Sequence, residues 1–364
     1  MLIKGIFQKI LLFIAIITSI ASPFSGYVIL NLIMLFNGAR LSRGGRVIYS
    51  ILLIFCIAGL CAYRQAGLSL FDDFSNSYYP NYLNIYNGDY ESFYRFSKIE
   101  IGLPILFFGL TKLGFLLSQS ELIFILTFIS LSIFLVWMEI YGLKFFDERQ
   151  KTFAIIFCLV TWSFVLPSIL VRQYLAIVIL LFALVTKLKR NRLIGLIVSS
   201  VFHASSLVTF LIFKISLKPL LSSIFLLLLF LFIQTHFLQY ISTSYSDFVL
   251  LDKINTLPES TDQSLYDFSG IKLTILAYII SLMINFRNPV NKYSCQLLFV
   301  IILYFVCLPI PQLSLRTTLI FTQILLGWIL LKSIRFAKQE TLMSVFLLFF
   351  SWKVFWIFTY GANF

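Results

Sequence analysis

The sequence has few charged residues and lacks the motifs of nucleotide, metal or serine-nucleophile chemistry. Charged side chains make up 12% of the 364 residues and hydrophobic ones 60%, above the roughly 45–50% apolar content of soluble domains. It contains no GxxxxGK[ST], GxGxxG, HExxH or GxSxG motif, so ATP-driven and serine-nucleophile mechanisms have no motif to support them. The five cysteines lie in apolar runs without metal-ligand spacing, so neither a disulfide framework nor a metal site is expected.

Apolar stretches recur along the whole sequence, and these are typical of membrane-spanning helices. We therefore predict an all-α, polytopic integral membrane protein: a single domain over residues 1–364 with about 11 transmembrane helices and short re-entrant or interfacial helices. The net charge of +13 does not indicate nucleic acid, because the basic residues form short clusters between apolar runs, where they set topology. Lys4 and Lys9 precede an apolar stretch that we interpret as an uncleaved helix, a signal peptide being the alternative.

The basic clusters predict which loops face the cytoplasm. Placing them inside leaves two polar loops outside, at residues 64–120 and 239–270. Within the first loop, the apolar segment 101–117 could cross the membrane or lie along its outer surface. We favour the second interpretation, because a crossing would put the basic run at 144–151 outside.

One polar stretch, residues 69–100, is exceptional in so apolar a chain. It combines five acidic residues with many tyrosines. Aromatic rings stack on sugar faces and carboxylates accept hydrogen bonds from hydroxyls, so the stretch suits a carbohydrate, although tyrosine-rich loops also occur at plain membrane interfaces. Asp72 or Asp73 could take the proton from an attacking sugar hydroxyl; the alternative is a solvated turn.

Two arginines are predicted at the outer ends of helices, against the usual bias of basic residues towards the cytoplasm. Arg172 follows Pro167, and Arg316 follows a break containing Pro309 and Pro311. An arginine near hydrocarbon is costly unless it is paired or faces a polar cavity. Its planar charged group suits a phosphate or pyrophosphate, whereas the alternatives are contact with lipid headgroups or a structural carboxylate.

His203 lies in a small-residue break within the apolar run 193–213. A re-entrant helix pair with His203 at its tip and a straight span with a central histidine both fit this pattern. The histidine could donate to a diphosphate or orient a hydroxyl, and the alternative is a hydrogen bond between packed helices.

The order of these features resembles the EpsG/Wzy group of bacterial polysaccharide polymerases. That group is similar to the GT-C glycosyltransferases, whose early outer loop carries an aspartate and short helices along the membrane. The aspartate is doubled here, so the resemblance does not say which one corresponds. The residues that carry the resemblance are, in order, Asp72, Asp73, Tyr78, Tyr79, Tyr82, Glu100, Gly102, Arg172, Gln173, Ala176, Phe202, His203, Ser206 and Arg316.

The resemblance implies that the chain joins undecaprenyl-diphosphate-linked oligosaccharide repeat units at the periplasmic face of the bacterial inner membrane. Because no metal-ligand cluster is visible in the sequence, catalysis without a metal or other cofactor is expected. The expected partners of the chain are this lipid-linked substrate, membrane lipids and a chain-length regulator, and not nucleic acid. A polyprenyl-phosphate-dependent single-sugar transferase and a flippase for lipid-linked oligosaccharides remain alternatives. The expected site residues are Asp72 or Asp73 as the general base, Arg172, Arg316 and His203 for the diphosphate, and Glu100, Tyr78 and Tyr79 as further substrate contacts.

Overall fold

The computed structural model describes residues 2–63, 73–90, 100–164, 166–207, 209–211, 269–285, 292–307 and 317–360. Every regular element in these ranges is helical. The chain divides into two compact units, Met1–Ser206 with Lys338–Phe364 and, separately, Leu207–Ala337.

The helices are α1 (Leu2–Ala21), α2 (Pro23–Asn37), α3 (Arg43–Ala62), α4 (Tyr79–Tyr86), α5 (Gly102–Thr111), α6 (Gln119–Ile140), α7 (Glu148–Thr161), α8 (Leu166–Ile169), α9 (Val171–Val185), α10 (Lys189–Phe202), α11 (Ser269–Ile284), α12 (Lys292–Cys307), α13 (Leu326–Ser333) and α14 (Gln339–Tyr360). Two π-helical turns (Phe74–Tyr78 and Ile320–Ile324) and two 3-10 turns (Gly38–Arg40 and Gly142–Phe145) accompany them. The first unit contains α1–α10 and α14. The second unit contains α11–α13.

Serine side chains cap the starts of three apolar helices. Ser22 accepts a hydrogen bond from a backbone N–H of α2, which has Pro23 in its first turn, and Ser42 caps α3 in the same way. Ser118 and Glu121 form a reciprocal capping box at the start of α6. Because such caps satisfy backbone donors that a helix leaves open, they define where each helix begins.

A buried ion pair joins the start of α3 to the end of α6. Arg46 donates from Nε to Glu139 Oε1 at 2.8 Å and from Nη2 to Glu139 Oε2 at 3.0 Å. The two helices are therefore antiparallel, and the polar segment between them starts and ends at the same end of the unit. Within it α5 has 10 residues, about 15 Å at 1.5 Å per residue, or half of a ~30 Å hydrocarbon core. This agrees with the interpretation that segment 101–117 does not cross the membrane.

A second contact places the basic segments together at the other end of these helices. The Thr152 hydroxyl donates to the Gly38 carbonyl at 2.9 Å, so the turn before α3 packs against the start of α7. The basic run at 144–151 therefore lies at the same end as Arg46, as the charge bias predicts.

Replacing Arg46 by alanine is expected to destabilise the protein far more than the same change at Arg43. The Arg46 side chain is 5% exposed, whereas that of Arg43 is 74% exposed and lies 3.5 Å from Glu139. Loss of Arg46 leaves the buried Glu139 without its main partner, at a cost of about 3–5 kcal/mol. An exposed ion pair contributes only ~0–1 kcal/mol. Thermal unfolding of the detergent-purified variants measures the difference, and equal losses would contradict the assigned geometry.

The second unit is held by polar contacts between apolar helices. Ser281 and Ser294 share a hydrogen bond of 2.6 Å between α11 and α12. Asn285 donates to the Ser333 carbonyl at 3.0 Å, which joins the end of α11 to α13. Residues 239–268 of the predicted second outer loop and Arg316 lie outside the described residues.

Three of the described helices are long and apolar enough to cross a membrane individually: Arg43–Ala62, Gln119–Ile140 and Gln339–Thr359. The chain is thus a helical membrane protein. The number of about 11 spans and the GT-C-like arrangement stay predictions.

Candidate functional site

The π-helical turn Phe74–Tyr78 and α4 pack against the segment that leads into α6. The Leu117 backbone N–H donates to the Tyr82 hydroxyl at 3.1 Å, and the Tyr79 hydroxyl donates to the Leu117 carbonyl at 3.4 Å. The Gln119 amide donates to Ser75 Oγ at 2.6 Å. These bonds fix the positions of the π-helical turn and α4 relative to the start of α6.

Glu100, directly before α5, is the centre of a buried polar cluster. Its Oε2 accepts a bond from Arg172 Nη1 at 2.6 Å. Its Oε1 lies 2.8 Å from His203 Nδ1 and accepts the Ala204 backbone N–H at 3.0 Å. One carboxylate therefore holds together α5, the start of α9 and the end of α10.

The cluster favours the ionised form of Glu100. Burial opposes ionisation, but the bond to His203, the positive charge of Arg172 and the Ala204 N–H outweigh it and lower the pKa of Glu100 to about 2. The carboxylate is therefore ionised at neutral pH. The 2.8 Å contact pairs the carboxylate with Nδ1 of His203. When the imidazole is protonated, both of its ring nitrogens are donors, so Nε2 then has an N–H to give.

Arg172, in the first turn of α9, links Glu100 to the π-helical turn that ends at Tyr78. Besides its bond to Glu100, it donates from Nε to the Tyr78 hydroxyl at 3.2 Å, and its Cζ lies 5.2 Å from the centroid of that ring. The Asp73 carboxylate is close enough to Arg172 to interact with it electrostatically. The guanidinium is therefore bonded to the carboxylate of Glu100 and lies within electrostatic range of that of Asp73.

The hairpin of α9 and α10 places His203 beside Arg172. The Ser199 hydroxyl donates to the Ala176 carbonyl at 2.9 Å. A Cβ on Gly195 would lie 2.9 Å from the Ala183 Cβ, so these helices approach very closely. α10 ends at Phe202, and His203 follows with an extended backbone. The histidine is therefore at a helix end and not in the middle of a continuous helix.

Gly102 allows the start of α5 to approach this helix end. A Cβ at Gly102 would lie 2.8 Å from the ring of Phe202. The segment Glu100–Gly102 thus meets Phe202–Ala204 at two points, a hydrogen-bonded carboxylate and a ring packed on a bare Cα. Glu100 faces Ala204 and Gly102 faces Phe202, so the two-residue spacing within each pair of motif residues matches this contact.

A methyl group at Gly102 is expected to weaken the cluster, because it displaces Phe202 and with it His203. The matched control is Gly109→Ala in the same helix, where nothing lies within 4 Å of the added Cβ. That change should be neutral or stabilising by about 0.5–1 kcal/mol from helix propensity. Glycan polymerisation in cells, normalised to protein level, compares the two variants. A Gly102→Ala variant with normal polymer would contradict the proposed role of this contact.

Five of the residues predicted from the sequence come together in the described part of the chain: Asp73, Tyr78, Glu100, Arg172 and His203. Sequence reasoning named Glu100 only as a substrate contact and missed its central position. The only signal in the sequence was an acidic residue directly before an apolar segment, two residues ahead of a glycine. The packing of Phe202 on Gly102 had no such signal.

Three other predicted residues are not part of this cluster as described. The Tyr79 hydroxyl bonds to the Leu117 carbonyl, and Tyr79 stacks on Tyr82 with centroids 6.3 Å apart. Asp72 and Arg316 lie outside the described residues. In the ranges that the structure describes, no three His, Cys, Asp or Glu side chains form a group that could hold a metal ion.

Comparison with models of known protein families shows to which family the chain belongs. The model of the EpsG family matches residues 47–364, a range that includes the whole cluster. The chain belongs to the EpsG family. Membership of the EpsG family indicates a polymerase-like membrane glycosyltransferase. No curated protein and no solved structure matches the chain significantly.

Proposed function

We propose that this EpsG-family chain polymerises polysaccharide by joining undecaprenyl-diphosphate-linked oligosaccharide repeat units at the periplasmic face of the bacterial inner membrane. The bond between the anomeric carbon of the growing glycan and its diphosphate oxygen breaks. A bond forms between that carbon and a hydroxyl of the next lipid-linked unit. The hydroxyl proton goes to a general base, and undecaprenyl diphosphate leaves with the electron pair.

The observation that carries the proposal is the cluster that Glu100 builds at the edge of the tyrosine-rich loop. It brings an arginine, a histidine and a tyrosine together with Asp73. Transfer from a diphosphate to a hydroxyl needs a base for the acceptor and donors for the leaving oxygens. Both kinds of group are present here within one site.

Asp73, or its neighbour Asp72, is the proposed general base. The electrostatic interaction of Asp73 with Arg172 supports this choice, because the base has to work near the groups assigned to the donor substrate. The ring and hydroxyl of Tyr78 suit contact with a sugar, and Tyr79 adds an aromatic surface on the same loop.

Arg172 and His203 are proposed to donate to the diphosphate, His203 from Nε2 in its protonated form, with Arg316 as a further cation. In a site that excludes water, each donor to a developing charge contributes on the order of 2.7–4 kcal/mol of barrier reduction. Glu100 acts through both groups as a positioning residue, because its carboxylate holds the guanidinium of Arg172 and pairs with Nδ1 of His203.

The protein is proposed to work without a metal or other cofactor, as one membrane domain with the outer loops at 64–120 and 239–270. Its proposed partners are the lipid-linked substrate, membrane lipids and a separate chain-length regulator. Nucleic acid has no place in this reaction.

The test is the glycan ladder of cells that lack the native protein and carry an Asp72→Asn/Asp73→Asn double variant. If one of these carboxylates is the base, general-base catalysis predicts a loss of polymer of about 10²- to 10⁴-fold, with glycans of one repeat unit remaining. Undiminished long chains would contradict the assignment of the base. A strain without the chain that makes no one-unit glycan would instead favour a single-sugar transferase or a flippase.

A further inference from the structure

A hydrogen bond between α6 and α9 shows at what height Arg172 lies along the membrane helices. The Trp137 indole N–H of α6 donates to the Leu181 carbonyl of α9 at 3.1 Å, so these two residues are at similar heights. From there α6 extends about 27 Å to Gln119, whereas α9 extends only about 13 Å to Arg172, at 1.5 Å per residue. For helices of equal tilt, Arg172 therefore lies about 13 Å below the outer end of α6.

The length of α10 gives the same height for His203. From Arg192, in the basic turn predicted to be cytoplasmic, the chain rises about 16 Å to His203, just over half of a hydrocarbon core of ~30 Å. The Ser199 hydroxyl bonds to the Ala176 carbonyl at 2.9 Å and keeps α9 and α10 in register. His203 and Arg172 each lie about one turn above this bond, so both are in the outer half of the membrane and not at its surface.

α5 connects this depth with the outer surface. Its first residue, Gly102, packs against the ring of Phe202 at the end of α10. Its end is followed by Lys112, an exposed cation that lies 4.5 Å from the centroid of Phe108, an arrangement typical of the membrane–water boundary. The ten residues of α5 extend about 15 Å. This length matches the difference in height between Arg172 and the outer end of α6.

Charged side chains and non-helical backbone meet at the lower end of α5. His203 has an extended backbone, and Leu170 before α9 and Glu100 before α5 are also non-helical. At membrane depth such groups occur where they are buried in protein or line a polar cavity. The cluster is not sealed, because the side chain of Arg172 is 19% exposed and that of His203 is 14% exposed. Their accessible parts therefore face a polar recess and not lipid tails.

Aromatic rings pack on the cytoplasmic side of the cluster. Tyr174, two residues further along α9 than Arg172, packs on Trp162 with centroids 5.5 Å apart. Trp162 packs in turn on Phe134 of α6 at 5.0 Å, and Phe134 is one turn from Trp137. These three rings are at most 1% exposed. In the described part of the unit, they separate the cluster from the basic turn, so the recess opens towards the outer side.

We propose that the Glu100 cluster lines a one-sided recess in the outer half of the bilayer, into which the diphosphate of the lipid-borne donor descends. The inference rests on the proposed function and deepens it, because it states from where the substrate reaches the site. A diphosphate on a polyprenyl tail is already at the boundary of the bilayer and descends only about 13 Å. A site away from bulk water also favours transfer to a sugar hydroxyl over hydrolysis of the donor.

The position of α5 is tested with fluorescent probes on single added cysteines, in the full chain reconstituted in liposomes. Ile105→Cys and Leu113→Cys are matched, because both native side chains are 52% exposed and only the first lies within α5. Lipids that carry a nitroxide at different depths of the acyl chain quench each probe according to its depth, and the chain without an added cysteine gives the background. The probe at 105 is expected to lie about 10 Å deeper than the probe at 113. Equal depths would place α5 along the surface and overturn the inference.

Access to the recess is tested with Ala204→Cys. Ala204 is exposed, and its contact with Glu100 uses the backbone N–H, which the substitution keeps. A charged, membrane-impermeant thiol reagent should modify this cysteine from the outer face and not from the cytoplasmic face. Undecaprenyl diphosphate should slow the modification about tenfold at about ten times its dissociation constant. Undecaprenol, which has the same tail and no phosphate, should not slow it, and neither lipid should protect Leu113→Cys.

Lack of modification from the outer face, or modification from the cytoplasmic face, would overturn the recess. Lack of protection by undecaprenyl diphosphate would overturn its assigned occupant. If Ala204→Cys does not accumulate in the membrane, the depth comparison decides, because Ile105 and Leu113 are not part of the cluster. Failure of the proposed function is a different result: a wild-type chain that lengthens no glycan, although the depths and the access are as expected.

Discussion

Glu100→Gln is expected to abolish polymer formation while one-unit glycans persist. Glutamine has one acceptor oxygen and one NH₂ donor in place of the two acceptor oxygens of Glu100. The NH₂ group would face Arg172 or His203, which are donors themselves, so at least one contact of the cluster is lost. The positive charge of Arg172, whose side chain is 19% exposed, then loses its 2.6 Å partner. Breaking a buried pair on one side costs about 3–5 kcal/mol. The glycan ladder, normalised to the amount of protein in the membrane, measures the effect.

The matched control is Glu121→Gln in the same outer region. This carboxylate is exposed and caps α6 through Ser118, so its loss should cost about 1 kcal/mol or less. Glu100→Gln combined with Arg172→Met removes both charges of the pair, and protein levels should recover because no charge is left uncompensated. Polymer should not recover. A double variant with normal polymer would show that the pair is only structural.

Arg172→Ala is expected to have the second large effect, a collapse of long glycans to single repeat units. The side chain joins Glu100 at the cluster's centre to Tyr78 on the loop, and its removal separates the two. Loss of a donor to a developing charge typically lowers kcat by about 10²- to 10³-fold. Arg172→Lys should also fail, because one ammonium cannot reproduce the planar fork that contacts both partners.

Arg43→Ala is the reference for this substitution, since Arg43 is an exposed arginine at the opposite end of the unit. It should retain the full ladder. Persistence of long chains in Arg172→Ala would make Arg172 a topological or headgroup arginine and remove the main support for the diphosphate site.

The sequence predicts which residues are unusual better than it predicts which of them meet. Arg172 and His203 are detectable because each is polar in an apolar segment. Their common partner is not, because Glu100 is 72 positions from Arg172 and 104 from Ala204. The sequence pattern around each residue does not indicate which residue, so far away in the sequence, it contacts. The close packing of Gly102 on Phe202 escapes prediction for the same reason.

Charge bias predicts on which side of the membrane the loop at 64–120 lies, because basic residues favour the cytoplasmic side. The same reasoning treats Arg46 only as a topological marker. Its bidentate bond to Glu139 depends on how α3 and α6 pack, which side-chain charge alone does not determine.

The most direct test of the account is reconstitution of the purified chain in liposomes with undecaprenyl-diphosphate-linked repeat units as the only substrate. The account predicts a ladder of glycans at multiples of one unit, with one undecaprenyl diphosphate released per bond formed. It predicts no ladder with Glu100→Gln. A wild-type protein that lengthens no glycan, transfers single sugars from a polyprenyl phosphate, or only moves the lipid-linked unit across the bilayer would contradict it.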